Sequence, residues 1–295
     1  MDVIILILTF NEEIHLKRCI NSCLAVTKSI VVVDSLSNDK TVSIAKEMGA
    51  NVLFRDFDNH SNQLNWALNK LKGKAKWIMR VDADEIISDH LSSEIKTLLP
   101  TLNDDVAGIF IKRNIIFLNK LIRFGGCYKR ETMRIVRPEK TICEKRLMDE
   151  HLLVNGRTIN FSGVIYDHSL KPLSLWIDKH NSYASKEAAE MIKLKIKNNE
   201  SIKKYNKIKL PQIVFLKNIF YSNLPLFLRP FLYFIYRYFL KLGFLDGKEG
   251  FIFHFMQSFW YRNLVDAKIF EVNNFSKKYK KSLSYSIKKS LDINF

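Results

Sequence analysis

Val3-Ile4-Ile5-Leu6-Ile7-Leu8 is an unbroken apolar run of strand length, closed by Thr9-Phe10-Asn11-Glu12. A strand that is apolar on both faces needs cover on both, the condition of a parallel sheet clad by helices. The sequence beyond it repeats the alternation. Glu13–Leu24 has helical spacing, with Ile14, Ile20 and Leu24 beside charged residues, and Ile30–Val33 is a second apolar strand ending at Asp34. Asp39–Met48 predicts a helix stopping before Gly49, Asn51–Phe54 a third strand, His60–Leu71 a helix, and Trp77–Val81 a fourth strand ending at Asp82. This order predicts an α/β fold with a mostly parallel sheet and helices on both faces. Ligands of such sheets bind outside the carboxyl ends of the strands. Asn11-Glu12, Asp34-Ser35 and Asp82-Ala83-Asp84 each follow directly on a strand, so three segments aim polar groups at one crevice. Further along, Val106–Arg113 and Met133–Val136 predict strands around a Gly125-Gly126 turn, and Leu173–Lys197 a charged helix.

The Asp82-x-Asp84 pair, with Glu85 after it, puts two carboxylates at a rigid strand end. They can share a hard divalent cation that also takes phosphate oxygens; equally, acidic residues suit a solvated turn or a helix N-cap. Asp34 through Thr41 presents the same choice between a base- or ribose-binding loop and a turn capped at Asn38 or Asp39. The chain has no GxxxxGK[ST] loop and no GxGxxG after its first strand, which argues against a P-loop enzyme and a dinucleotide-dependent dehydrogenase. Without a glycine cradle, the pyrophosphate of a nucleotide needs a metal, and the paired carboxylates meet that need.

Thr9-Phe10-Asn11-Glu12-Glu13, Val33-Asp34-Ser35-Leu36-Ser37-Asn38-Asp39-Lys40-Thr41 and Val81-Asp82-Ala83-Asp84-Glu85 resemble the family 2 glycosyltransferases of the Rossmann-like GT-A fold. The resemblance is to the bacterial branch that builds lipopolysaccharide core, O-antigen, capsule and exopolysaccharide; it is strong over residues 1–100 and extends to about 185. Leu242-Gly243-Phe244-Leu245-Asp246-Gly247 through Trp260-Tyr261-Arg262 is also similar to polysaccharide-synthesis members.

The resemblance implies that Thr9, Asn11 and Glu12 line a nucleotide pocket, that Asp34 binds uracil or another base, and that Asp82 contacts ribose or metal. It implies Asp84 as a ligand of Mg²⁺ or Mn²⁺ on the diphosphate, and His168 as a third metal ligand or a diphosphate contact. Gln63 and Asn65 match polar positions of a family helix beside the nucleotide, with Leu64 where a basic residue is usual. In Met148-Asp149-Glu150-His151, Glu150 falls on the family's acidic residue and Asp149 on its usual His. Glu150 is therefore favoured as general base, with Asp149 the alternative. Gly125-Gly126-Cys127-Tyr128, with Arg134 and Arg137 beyond, resembles an acceptor loop leading into an Arg-bearing strand; Cys127 replaces the family's Trp. Arg134 and Arg137 are read as phosphate contacts or exposed strand charges.

Charge sharpens the division of the chain. Of 47 Lys+Arg and 30 Asp+Glu, residues 171–295 hold 23 and 9, a net of +14. Phe215–Tyr261 carries 17 of the 36 aromatic residues. Such a region fits nucleic acid or an anionic membrane surface, and three acidic strand exits disfavour nucleic acid because they repel phosphate. Arg229, Tyr233, Arg237 and Lys241 recur every four residues, predicting a helix in a membrane interface with a cationic stripe at the headgroups; packed C-terminal helices are the other reading. The charge-free runs Asn218–Leu228 and Gly250–Tyr261 are shorter than the roughly 20 residues that span a bilayer. The basic connector Lys203–Lys209 and Pro211 suggest a catalytic domain at 1–205 and a basic aromatic helical region at 206–295. Cys19, Cys23, Cys127 and Cys143 form no CxxC pair and Met1-Asp2-Val3 carries no basic leader, so a reduced cytoplasmic protein at the inner face of the cytoplasmic membrane is expected. The expected activity is an inverting glycosyltransferase that moves a sugar from a nucleotide-sugar, a UDP-sugar by preference, to a glycolipid or polysaccharide acceptor. A nucleotidyltransferase and a non-enzymatic membrane- or nucleic-acid-binding protein are the alternatives.

Overall fold

Strands β1 (Val3–Thr9), β2 (Ile30–Asp34), β3 (Asn51–Phe54) and β4 (Trp77–Asp82) pair in parallel in the order β3-β2-β1-β4. The computed structural model describes residues 2–145, 150–198, 221 and 224–293. The chain divides into two units, Met1–Arg123 with Cys127–Lys171, and Phe124–Gly126 with Pro172–Phe295. The boundary expected between 205 and 206 lies outside the described residues, as do the basic connector and Pro211.

In the first unit, β1 explains why the sheet needs two layers of helices. Its side chains alternate between faces. Val3, Ile5 and Ile7 join Leu16, Cys19, Ile20 and Cys23 of α1 (Glu13–Leu24) in one core, whereas Ile4 and Leu6 join Leu64, Leu68 and Leu71 of α3 (His60–Leu71) in another. The four cysteines are buried free thiols. The second helix, α2 (Thr41–Glu47), starts two residues later than the apolar pattern suggests, because the Asp39 carboxylate accepts the Thr41 N–H at 2.9 Å and closes a local turn first.

The sheet continues beyond β4 through strands that run both ways. After β5 (Glu85–Ile87) and α4 (Asp89–Leu98) come β6 (Val106–Phe117), β7 (Lys120–Leu121), β8 (Arg130–Val136), the ribbon β9 (Thr141–Cys143) with β10 (Leu152–Val154), and β11 (Arg157–His168). β8 lies antiparallel between β4 and β6, and β11 lies parallel to β6 and antiparallel to β5. The long strand β11 has no counterpart in the sequence reading. Its alternation is broken by register shifts at Arg157/Thr158 and Asn160/Val164, which blur the period of two.

The second unit is helical: α5 (Leu173–Asn198), α6 (Leu228–Ile235), α7 (Gly247–His254), α8 (Tyr261–Tyr279) and α9 (Leu283–Leu291). Ala184, Ala188, Ala189 and Ile192 of α5 pack with Tyr261, Val265, Ile269 and Val272 of α8 and Ile287 of α9. Wide π turns at Tyr236–Leu240 and Phe255–Trp260 extend α6 and join α7 to α8. Among the described residues no helix is long and apolar enough to cross a membrane.

Two of the three cations of the stripe, Arg229 and Arg237, face the opposite way from the sequence expectation, whereas Lys241 is exposed. The Arg229 guanidinium is 1% exposed and donates from Nε to Asp266 at 2.8 Å. Arg237 donates to the Gly125 carbonyl at 2.9 Å and to Ser258 at 3.1 Å. Four-residue spacing places both arginines on one face, but partners for them exist only inside: a buried carboxylate, a hydroxyl, and a carbonyl freed where Gly125 takes φ +72°, a position at which a Cβ would overlap the His254 ring. Breaking the buried pair should be costly. Arg229→Leu is expected to lower stability by about 3–5 kcal/mol, and Arg229→Leu with Asp266→Leu to recover most of it. Denaturant unfolding of the single and double variants measures both.

Candidate active site

Pairing of the four parallel strands brings their polar exits together. Thr9 is opposite Asp34 and Leu8 opposite Asp82 in the ladder, so the carboxyl ends of β1, β2 and β4 form one edge. The first two exits are then tied to each other. The Thr9 hydroxyl donates to Asp34 at 2.8 Å, and Asp34 also accepts from Ser37 N–H at 2.7 Å and Ser37 Oγ at 2.6 Å. Asn11 donates its N–H to Ser37 and accepts the Asn38 N–H at 3.0 Å. Two non-glycine residues in these loops, Asn11 (φ +54°) and Leu36 (φ +62°), sit in the left-handed region. For a Leu this is a local strain of the kind concentrated at functional loops. Asp34 is fully buried by these contacts.

Glu12 accepts from Lys171 at 2.6 Å and lies 2.6 Å from His15 Nδ1, while His15 Nε2 accepts the Leu170 N–H at 2.7 Å. Burial works to raise the Glu12 carboxyl, and the His15 and Lys171 contacts outweigh it and hold Glu12 below its ordinary value. Gln63 and Asn65 on α3 point to different neighbours. Gln63 donates to the Ser35 hydroxyl at 2.6 Å, reaching the β2 exit. Asn65 instead binds both backbone groups of Cys143, at 2.8 and 2.9 Å, and anchors the β9–β10 ribbon.

The third exit is a carboxylate cluster threaded by arginines. Asp82 Oδ1 accepts from Arg80 Nε at 3.1 Å and Oδ2 from Arg134 at 3.2 Å, and the Asp82 N–H donates to Glu85 at 2.9 Å. Arg134 also pairs closely with Glu85. Burial alone would raise Asp82, but Arg80, Arg134 and His60 drive it far below the usual carboxylate range. Burial, opposed by Arg134 and reinforced by Asp82, pushes Glu85 up. Arg134 is thus buried between two carboxylates, where sequence reading expects an acceptor phosphate or an exposed charge. Arg137 differs from that expectation too. β8 runs antiparallel to β4, with Val136 opposite Ile78, so Arg137 falls at the end of β4 away from Asp82. There it stacks on Trp77 at 4.3 Å and donates to the Val106 and Asn103 carbonyls. Tyr128 is exposed on the stretch before β8.

β11 delivers the next groups. Asp167 pairs with Glu85 in register, and the His168 N–H donates to the Asp84 carbonyl at 3.0 Å. Burial, with the nearby Asp84 charge, pushes Asp167 up to about 6. The His168 ring contacts Arg18 at 3.2 Å and Asn119 at 3.0 Å. Burial and the Arg18 charge hold its pKa below the ordinary histidine value. Among the described residues no three His, Cys, Asp or Glu side chains form a ready-made cation cage. Both Asp82 oxygens are taken by guanidinium groups, which do not suit a metal ligand. Asp84 offers a hard oxygen, the donor type that suits Mn²⁺ or Mg²⁺ with phosphate oxygens; His168, joined to it through the backbone, has both ring nitrogens engaged by Arg18 and Asn119 and would exchange one of these contacts for the ion.

Glu150 lies 2.5 Å from Nδ1 of His60, the first residue of α3. Burial works to raise this carboxyl, but the His60 contact and charge outweigh it, so Glu150 stays below its ordinary value. His60 also acts on Asp82, and Arg80 on Glu150, so the expected base shares its electrostatic neighbourhood with the third exit. Asp149 lies outside the described residues. Arg18, His60, Arg80 and Lys171 are site groups that sequence reading missed. Only Arg80 had a local signal: at two residues before Asp82 on a strand it must share its face.

Residues 4–143 match the Glycosyl transferase family 2 model. A glycosyltransferase of Rickettsia typhi is 26% identical over 83% of this chain and 79% of its own length. The SPbeta prophage-derived glycosyltransferase SunS of Bacillus subtilis is 28% identical over 43% of this chain and 34% of its own. Among solved structures, glucosyl-3-phosphoglycerate synthase of Mycobacterium tuberculosis, held with Mn²⁺ and UDP-glucose, aligns with a TM-score of 0.31 at 19% identity, over 38% of this chain and 43% of that one.

Proposed function

We propose that this chain, whose residues 4–143 match the Glycosyl transferase family 2 model, is a glycosyltransferase that transfers a sugar, with inversion, from a nucleotide-sugar to a membrane-held glycan acceptor. The observation that carries this reading is the single edge formed by the exits of β1, β2 and β4, with Asp84, His168 and Glu150 around the third of them. Thr9, Asn11, Glu12, Asp34 and Gln63 would shape the nucleotide end; a UDP-sugar is the donor we favour.

In the reaction, an acceptor hydroxyl attacks the anomeric carbon from the face opposite the diphosphate. The new C–O bond forms as the old one breaks, and the nucleoside diphosphate leaves with the bonding pair. Glu150 takes the hydroxyl proton, which a carboxylate held ionised by His60 can do across the neutral range. Asp149 is the alternative base. Asp84 and His168 would hold a Mg²⁺ or Mn²⁺ ion, and that ion when bound neutralises charge on the leaving diphosphate. The acceptors we favour are lipopolysaccharide-core, O-antigen, capsule or exopolysaccharide glycans at the inner face of the cytoplasmic membrane, and a catalytic domain ending near 205 is part of this reading. A panel of nucleotide-sugars tested for Mn²⁺-dependent hydrolysis should give at least one turnover signal, a UDP-sugar first among them. Silence from the whole panel would contradict the proposal.

A further inference from the structure

In the second unit two arginines are turned inward while large apolar side chains face outward. Arg229 and Arg237 are spent on Asp266, Gly125 and Ser258, while Phe231 and Phe239 are 50% exposed, Leu245 52% and Leu240 71%. Four exposed rings, Phe239, Phe244, Phe251 and Phe255, are joined through ring contacts. Tyr238 contacts Phe239, Phe244 and Phe251 at 5.1, 6.3 and 5.6 Å between ring centroids, and Phe251 contacts Phe255 at 6.0 Å. A contiguous apolar surface of this kind marks an interaction site. It contains a cavity of about 440 Å³ walled by Tyr238, Phe244, Phe251 and Ile252, with Lys248 on its lining. From Leu228 to Trp260 the exposed charges are Lys241 and Lys248, whereas Asp246 is buried and Glu249 half-buried. The surface therefore offers aromatic and leucine side chains whose exposed charges are both cations, with Glu249 half-buried beside Lys248.

We infer that this face inserts into the interfacial region of an anionic phospholipid leaflet, with Phe231, Phe239, Leu240, Leu245 and Phe251 among the acyl chains and Lys241 and Lys248 at the phosphates. Aromatic and leucine side chains below a cationic rim are the composition of an in-plane membrane anchor. Among the described residues no helix is long and apolar enough to span, and the contact inferred is with one leaflet. The inference deepens the reading of a membrane-held acceptor and rests on it for its purpose, but its test needs no donor or acceptor.

The full chain is sedimented with vesicles of phosphatidylcholine containing phosphatidylglycerol and with vesicles of phosphatidylcholine alone. Wild-type protein should co-sediment with the anionic vesicles, less so at high salt. Each of Phe231→Ser, Leu240→Ser and Leu245→Ser should weaken partitioning by about tenfold, and the triple variant should stay in solution. Lys241→Gln with Lys248→Gln should weaken binding to anionic vesicles by about tenfold or more and leave the neutral vesicles unaffected. Phe57→Ser, an exposed apolar position of the first unit, should change nothing. Unaltered sedimentation of the triple variant overturns the inference. So does a wild-type chain that ignores both vesicles and elutes as a dimer that the triple variant dissolves, since a second copy then covers the face. Nucleotide-sugar hydrolysis by the wild-type chain in solution separates the outcomes: if it persists while the wild-type chain binds neither kind of vesicle, only this inference fails.

Discussion

Glu150→Gln is expected to lower sugar transfer by about 100- to 10,000-fold, the range a positioned general base contributes, with little change in affinity for the donor. The amide keeps the shape of the side chain and loses its proton-accepting charge. His60 makes the test sharper. Because His60 holds the Glu150 carboxyl below its ordinary value, the wild-type base remains ionised until the pH falls below the usual Glu range, and the acid limb of the rate profile lies there. In His60→Ala the remaining influence of burial raises the carboxyl, so the acid limb moves to higher pH while the rate at neutral pH and above changes less. A pH profile of transfer by wild type and His60→Ala reads this directly. Wild-type rates from Glu150→Gln would move the base to Asp149.

Arg134→Met should be the most destabilising single change at the site, at about 3–5 kcal/mol, the range for removing one partner of a buried ion pair. Arg134 is 4% exposed and its guanidinium serves Asp82 and Glu85 together. Without it, Asp82 keeps Arg80 while Glu85 is left without its guanidinium partner, and both lose a partner that favours their charged forms. Their folded-state values then lie higher than in the wild type, so the deficit of the variant is largest at neutral and alkaline pH and shrinks as acid protonates them. Arg134→Met with Glu85→Gln should recover part of the loss. Urea unfolding across pH measures the whole pattern; a variant as stable as wild type at neutral pH would show that the arginine is not the clamp described here.

What could be read from the sequence follows the range of the interactions involved. The exits of β1, β2 and β4 were legible because an apolar run and the polar residue that ends it are neighbours in the chain. Arg80 was legible in principle, through the period of two. His60 with Glu150, Arg18 with His168, and Lys171 with Glu12 are pairings between residues far apart in the chain, and β11, which brings His168 to Asp84, is masked by its own register shifts. Spacing also leaves one ambiguity that only packing resolves: which face is inward. Arg134 and Arg137 read as surface or phosphate-binding charges and are buried; Arg229 and Arg237 read as a headgroup stripe and are turned inward, Arg229 fully buried and Arg237 half-buried. In each case a carboxylate or a carbonyl from another element supplies the partner, and no local pattern announces it.

The central claim, that the exits of β1, β2 and β4 form a nucleotide-sugar site completed by a cation at Asp84, is tested most directly by calorimetric titration of UDP into the full chain with Mn²⁺ and with a chelator. Binding that requires Mn²⁺ and weakens by about 100-fold in Asp84→Ala, several kcal/mol being typical of such a cation, is the predicted result. UDP binding that is indifferent to both the metal and Asp84, or absent for every nucleoside diphosphate tried, would contradict it.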